Sequence, residues 1–72
     1  MYTNDIRLGD TLSWVSVQGV ETGHVTGFCL ETREGRPVVY MNVATSWNPE
    51  LKVAMNDSYL SLMEMRVVKR AN

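Results

Sequence analysis

Two strands joined by a tight turn are predicted by residues 24–44, which read HVTGFCLETREGRPVVYMNVA. Apolar and β-branched residues fill both flanks, and these residue types are enriched in strands. Between the flanks, Gly35 can adopt the positive φ that a hairpin turn requires. Gly27 interrupts the first flank, and a glycine inside a strand usually marks a bulge or a bend. We therefore predict strands over His24–Thr32 and Pro37–Ala44, with an irregularity at Gly27.

Three further strands are predicted outside this hairpin, at Thr11–Val17, Leu51–Met55 and Arg66–Lys69. The segment Gln18–Gly23 carries two glycines and is interpreted as a loop. The spacing of Ser61 and Glu64 matches a weak capping box, which predicts one helical turn over Leu60–Glu64. A longer helix in this region is the alternative.

The arrangement predicts a single all-β domain, because five short, bent strands can close into a small antiparallel barrel. The barrel is expected over residues 9–70, after a lead-in at residues 1–8. Its core candidates are Leu12, Trp14, Val25, Cys29, Val39, Met41, Val43, Leu51, Val53, Leu62 and Val67. Several strands are apolar on both faces, and a small barrel has only one inside. The surplus predicts a second covered face, hence a homo-oligomer or a docking surface for another protein.

The composition excludes several classes of protein. The chain has 72 residues, 44% of them hydrophobic, and a formal net charge of −1, which argues against a strongly basic nucleic-acid module. A single cysteine, Cys29, cannot form an internal disulfide. With a single histidine, His24, neither a metal site nor a set of catalytic groups is expected. We therefore predict no catalytic residues, no metal and no cofactor. No apolar run is long enough to span a bilayer and no secretory signal is visible, so the cytoplasm is the expected location.

Aromatic residues supply the candidate binding site. Trp47 lies in a long polar loop, where a tryptophan is typical of a binding anchor. Phe28 and Tyr40 fall on adjacent strands and could form an aromatic cage or a stacking platform with Trp47. Tyr59 is a further candidate. The alternative is that Trp47 folds back and plugs the open end of the barrel.

A weak basic edge is formed by Arg66, Lys69 and Arg70 near the end of the sequence. Such an edge could contact phosphates, so a nucleic-acid partner is kept as an alternative. Few charges in one place give little affinity at physiological salt, which makes this function the less favoured one.

The order and spacing of three segments resemble the SH3-like small barrels, including KOW and Tudor-type modules. Gly9–Trp14 is similar to the Gly-Asp opening of many of them, and Gly23–Phe28 is similar to their second strand. Leu60–Val67 resembles the one-turn helix that precedes their last strand. The resemblance implies a single SH3-like five-stranded antiparallel barrel. It does not by itself transfer a function.

One enzyme family shares this fold and size, the plasmid-encoded type II dihydrofolate reductases. Gly9–Asp10 and Gly23–Cys29 are similar to their first two strands. Their central pore is built from a Val-Gln-Ile-Tyr stretch, whereas the nearest stretch here, Leu51–Met55, lacks the glutamine and the tyrosine. The groups that would hold folate and nicotinamide are therefore missing.

The sequence thus predicts a non-enzymatic binding module, acting as an adaptor or inhibitor of a larger complex in the style of a bacterial or phage protein. The first alternative is a nucleic-acid-associated KOW or Tudor-like module. The second is an enzyme like the type II reductases.

Overall fold

A computed structural model describes residues 5–71 as five strands and one short helix. The elements are β1 Thr11–Ser16, β2 Gly19–Arg33, β3 Arg36–Ala44, β4 Leu51–Ala54, α1 Asp57–Leu62 and β5 Arg66–Lys69. The strands form one antiparallel sheet in the order β4-β3-β2-β1-β5. The prediction of an all-β domain with a helical element before the last strand is confirmed. Strand pairing ends at β4 and β5, so within residues 5–71 the sheet stays open.

The long strand β2 is bent. Fifteen extended residues would span about 50 Å, but the largest dimension of the molecule is 33 Å. Its pairing with β3 shifts register between Val25 and Gly27. The irregularity predicted at Gly27 is therefore confirmed as a β-bulge, a device that bends a strand. The hairpin turn is also confirmed, because Glu34 and Gly35 have φ of 52° and 78°.

The prediction of a loop over Gln18–Gly23 is wrong, because most of this segment belongs to β2. β2 begins at Gly19, where φ is 112°, and pairs with β1 without interruption through Gly23. A Cβ atom at Gly23 would lie only 2.6 Å from Cγ1 of Val43. This glycine therefore allows close approach of β3 and does not break the strand.

The helix starts earlier than predicted. Asn56 is its N-cap, and the Asn56 side chain accepts a hydrogen bond from the backbone N–H of Tyr59 at 3.1 Å. Ser61, the predicted cap, lies inside the helix. The helix is followed by Glu64 with φ of 53°. This reversal lets Met63 and Met65 both pack on the core, which alternating residues of a strand could not do.

The buried core consists of side chains from β1 to β4 and α1, from the segment before β1 and from the segment between α1 and β5. Its buried members are Ile6, Leu12, Trp14, Val25, Met41, Val43, Val53, Leu60 and Met65, with Leu51, Met55, Met63 and Val67 packed against them. The prediction was wrong for Val39 and Leu62, which are exposed, and Cys29 is only half-buried. Ile6, Leu60 and Met65 were missed. No helix within residues 5–71 has the length and apolar character needed to cross a membrane.

Candidate binding groove at Trp47

Trp47 is held at the tip of the loop between β3 and β4. The backbone N–H of Thr45 donates to the carbonyl of Asn48 at 2.8 Å, and the backbone N–H of Asn48 donates to Oγ1 of Thr45 at the same distance. Oδ1 of Asn48 also accepts from the backbone N–H of Glu50 at 2.9 Å. These bonds fix the loop on both sides of Trp47. The indole is 57% exposed and lies outside the core cluster, which does not favour the alternative of a barrel plug.

The exposed indole faces the hairpin that joins β1 and β2. Two adjoining depressions of about 260 and 320 Å³ lie beside it. We call them together the tryptophan groove, which is lined by Ser16, Val17, Gln18, Val20, Glu21, Thr22, Ser46 and Trp47. Val17 and Val20 are both largely exposed, so the groove offers apolar contact area beside the indole. Groups of this kind anchor partners at interfaces.

One wall of the tryptophan groove is an open strand edge. Residues 19–22 of β2 pair with β1, and within the described chain they pair with no other strand, because β3 joins β2 only from His24 onward. β3 ends at Ala44, and the loop that follows it lines one side of a depression whose other side is residues 20–22. The backbone groups of residues 19–22 that point away from β1 are thus available to a partner.

Glu21 connects the groove to the core. It lies opposite Trp14 in the β1–β2 ladder, and the buried indole of Trp14 donates its N–H to Oε1 of Glu21 at 3.1 Å. Within residues 5–71, Oε2 of Glu21 accepts no hydrogen bond. Glu21 is also the one charged residue among those described that line the groove. A partially buried, singly bonded carboxylate therefore lies beside the exposed indole.

The other predicted aromatic residues are not gathered around Trp47. Phe28 pairs with Met41 and Cys29 pairs with Tyr40, so Phe28 and Tyr40 lie on opposite faces of the sheet. Neither side chain lines the tryptophan groove, and the proposed cage of Phe28, Tyr40 and Trp47 does not form. Tyr59 lies on α1 and is exposed.

Tyr40 belongs instead to an ionic cluster on the outer face of β2, β3 and β4. Glu31 accepts hydrogen bonds from Lys52 and from Arg33, the latter at 3.0 Å. Both cations also lie over the Tyr40 ring, at 5.4 and 5.6 Å from its centroid. The hydrogen bond from Lys52 lowers the pKa of Glu31, and the same bond raises the pKa of Lys52. The cluster satisfies its own charges and leaves little for a ligand.

The predicted basic edge is divided. Arg70 bonds the buried carboxylate of Asp10 at 2.9 Å, together with the carbonyl of Asp5, whereas Arg66 and Lys69 are exposed on β5. Burial alone would raise the pKa of Asp10, but the hydrogen bonds from the backbone and from Arg70 outweigh it and lower that pKa. Arg70 therefore holds the two ends of the described chain together.

The two residues best suited to reactive chemistry have ordinary surroundings. Nδ1 of His24 lies 3.0 Å from Oγ1 of Thr11 on the exposed face of the sheet. The thiol of Cys29 is half-buried and contacts the carboxylate of Glu31 at 4.0 Å. Across residues 5–71, no three side chains of His, Cys, Asp or Glu are grouped closely enough to hold a metal ion.

A second exposed apolar surface lies on the hairpin of β2 and β3. Phe28, Leu30 and Val39 lie on the same face of the sheet as the buried Met41, because Phe28 pairs with Met41 and Leu30 with Val39. We call these three residues the hairpin face. It extends the core side of the sheet into solvent, so these three residues do not form the second apolar face that the sequence predicted.

Comparison with known proteins identifies no relative. The chain matches no protein family, no curated protein and no solved structure at a significant level. Function is therefore inferred from the site alone.

Sequence reasoning identified Trp47 but missed the residues that accompany it. Val17, Val20 and Glu21 belonged to the predicted end of β1 and to a predicted loop, and neither assignment indicated an open strand edge. The available signal was the β-branched residues Val20, Thr22 and Val25, which favour a strand but which the two glycines obscured.

Proposed function

We propose that this chain is a small protein-binding module with an SH3-like architecture, and that it binds its partner at the tryptophan groove. The architecture is supported by the strand order, in which β1 lies between β2 and β5. The bulge in β2 and the helix just before β5 give further support. Five antiparallel strands and a helix before the last of them are the features that the resemblance to small SH3-like barrels implies.

The observation that carries the proposed function is the combination of an exposed tryptophan with an open strand edge. Trp47 contributes a large apolar surface on a loop already fixed by hydrogen bonds, so little conformational entropy is lost when a partner binds. The adjacent edge offers backbone donors and acceptors. Together they provide the apolar anchor and the polar orientation that a peptide site needs.

Nucleic-acid binding has less support in this structure. Arg70, Arg33 and Lys52 are engaged by carboxylates, so only part of the small positive charge is free. Arg66 and Lys69 remain exposed on β5. Two such cations supply a weak, salt-sensitive attraction to phosphates. A shift of DNA or RNA that disappears between 50 and 200 mM salt would favour this alternative.

The hairpin face supports the expectation of a homo-oligomer. Its three apolar residues are exposed in a single copy, and a second copy could cover them. Sedimentation velocity at high micromolar concentration tests this, and Leu30→Glu should shift an observed dimer to monomer. A strict monomer for the unchanged chain would argue against self-association.

Selection of peptides from a random display library, with the full chain as bait, tests the proposed function. Enriched peptides should lose about 2–4 kcal/mol of binding free energy with Trp47→Ala, because a central tryptophan is a typical hot spot. Leu62→Ala is the matched control, since Leu62 is 81% exposed and lies outside the groove. Thermal unfolding should be nearly unchanged in both variants. Enriched peptides that bind Trp47→Ala as tightly as the unchanged chain, or no enrichment at all, would contradict the proposal.

A further inference from the structure

We infer that the partner segment binds as an added β-strand, antiparallel to β2 and in line with β3, and that a lysine or arginine of this segment pairs with Glu21. The inference rests on the proposed function and specifies the ligand. The ligand is an extended peptide in which the basic residue is followed directly by a β-branched apolar residue.

The edge formed by residues 19–22 is suited to strand addition. Its backbone already has extended geometry, because it pairs residue by residue with β1 from Val20↔Val15 to Thr22↔Ser13. On the other side, the depression of about 320 Å³ separates it from Ser46 and Trp47. An extended peptide placed there can bond to the edge with its backbone and contact Trp47 with its side chains.

The two outer strands of the sheet, β4 and β5, are protected. β4 and β5 are four residues long, and both carry basic side chains, Lys52 on β4 and Arg66 and Lys69 on β5. Short length and positive charge are common means of preventing edge-to-edge pairing. Residues 19–22 carry no positive charge and are flanked by exposed apolar side chains. This edge therefore has neither form of protection.

The direction of the added strand follows from its neighbours. Both strands that pair with β2 are antiparallel to it, and antiparallel pairing is slightly more stable per residue than parallel pairing. A peptide that continues the line of β3 runs from a position opposite Thr22 to a position opposite Val20. Its three central residues thus lie opposite Thr22, Glu21 and Val20 in that order.

The side chains opposite Glu21 and Val20 define the sequence preference. Directly opposite residues of an antiparallel pair point to the same face, so the residue opposite Glu21 lies beside its carboxylate. Oε1 of Glu21 is bonded by Trp14, and Oε2 is left for a ligand cation. On the other face, Val20 already pairs with Val15, and a β-branched residue beside Val20 would extend this apolar row to a third strand.

Amide hydrogen exchange and a Glu21 series test the inference with the peptides selected above. Bound peptide should slow exchange at alternate amides within residues 19–22, namely those that point away from β1 and would donate to the added strand. Glu21→Gln keeps the acceptor for Trp14 but loses the charge, so it should weaken peptides that contain the basic residue by about tenfold or more. Glu34→Gln, at the exposed turn of the β2–β3 hairpin, is the matched control and should change nothing. A peptide of reversed sequence should bind more weakly.

The outcomes separate the inference from the proposed function. Peptides that depend on Trp47 but leave exchange at residues 19–22 unchanged would overturn strand addition and leave the binding function standing. Equal affinity for Glu21→Gln would overturn the ion pair. Failure of every peptide to bind, or binding that ignores Trp47, would overturn both proposals.

Discussion

Leu60 and Leu62 provide the sharpest test of the fold. They lie two residues apart on α1, so their side chains point in nearly opposite directions. Leu60 is completely buried in the core, whereas Leu62 is 81% exposed. Leu60→Ala should cost about 2–5 kcal/mol, because it removes buried methyl groups and leaves a cavity. That is a large part of the roughly 4–11 kcal/mol that stabilises a domain of this length.

Leu62→Ala is the internal control, because it makes the same chemical change in the same helix. It should alter the free energy of unfolding by less than about 0.5 kcal/mol, as is usual for surface substitutions. Urea denaturation followed by tryptophan fluorescence measures both values, and the melting temperature of Leu60→Ala should fall by at least about 8 °C. Should Leu60→Ala be too unstable to study, Leu60→Met should fold with a loss under about 1.5 kcal/mol. Equal losses for the two alanine variants would refute the placement of α1.

Three further predictions concern stability and the environment of the tryptophans. The pKa of Asp10 is lowered in the folded state, so the unfolded chain binds this proton more tightly. The stabilisation that Asp10 contributes is therefore fully present above about pH 5 and is lost as the pH falls below it. Urea midpoints measured across this range should decline less for Asp10→Asn than for the unchanged chain. Asn56→Ala should lower the free energy of unfolding by about 1 kcal/mol in the same assay, because it removes the N-cap, whereas Ser61→Ala should lower it much less. A larger loss for Ser61→Ala would favour Ser61 as the N-cap, as the sequence predicted. In Trp47→Phe, Trp14 is the one remaining tryptophan, and its emission should be blue-shifted and resistant to quenching by acrylamide. Strong quenching of that variant would contradict the burial of Trp14.

Local signals in the sequence were sufficient to predict the hairpin of β2 and β3. Gly35 supplied the turn conformation and Gly27 marked the bulge, and both effects arise within a few residues. Gly23 misled the prediction, because its role is to admit Val43 from a strand distant in sequence. The helix was misplaced for a similar reason. Two capping signals compete there, and the burial of Leu60 against the sheet is what distinguishes them.

The candidate site was predictable only in part, because the bulge at Gly27 changes which side chains share a face. Before the bulge, Val25 pairs with Val43; had that register continued, Phe28 would lie opposite Tyr40 on the same face. The one-residue shift places Phe28 opposite Met41 instead. Composition and alternation alone place the two aromatic residues on adjacent strands. The register that separates them depends on the bend of the whole sheet.

The bond between Asp10 and Arg70 has a mechanical consequence. β1 and β5 are antiparallel, and Thr11, the first residue of β1, pairs with Lys69, the last residue of β5. A force that pulls apart the segments before β1 and after β5 therefore loads one end of this ladder, beginning with the bond between Asp10 and Arg70. In this unzipping geometry the hydrogen bonds between β1 and β5 break one after another, whereas in a shear geometry they would all bear the load together. Under tension from its two ends, this domain should yield at low force and lose β5 first.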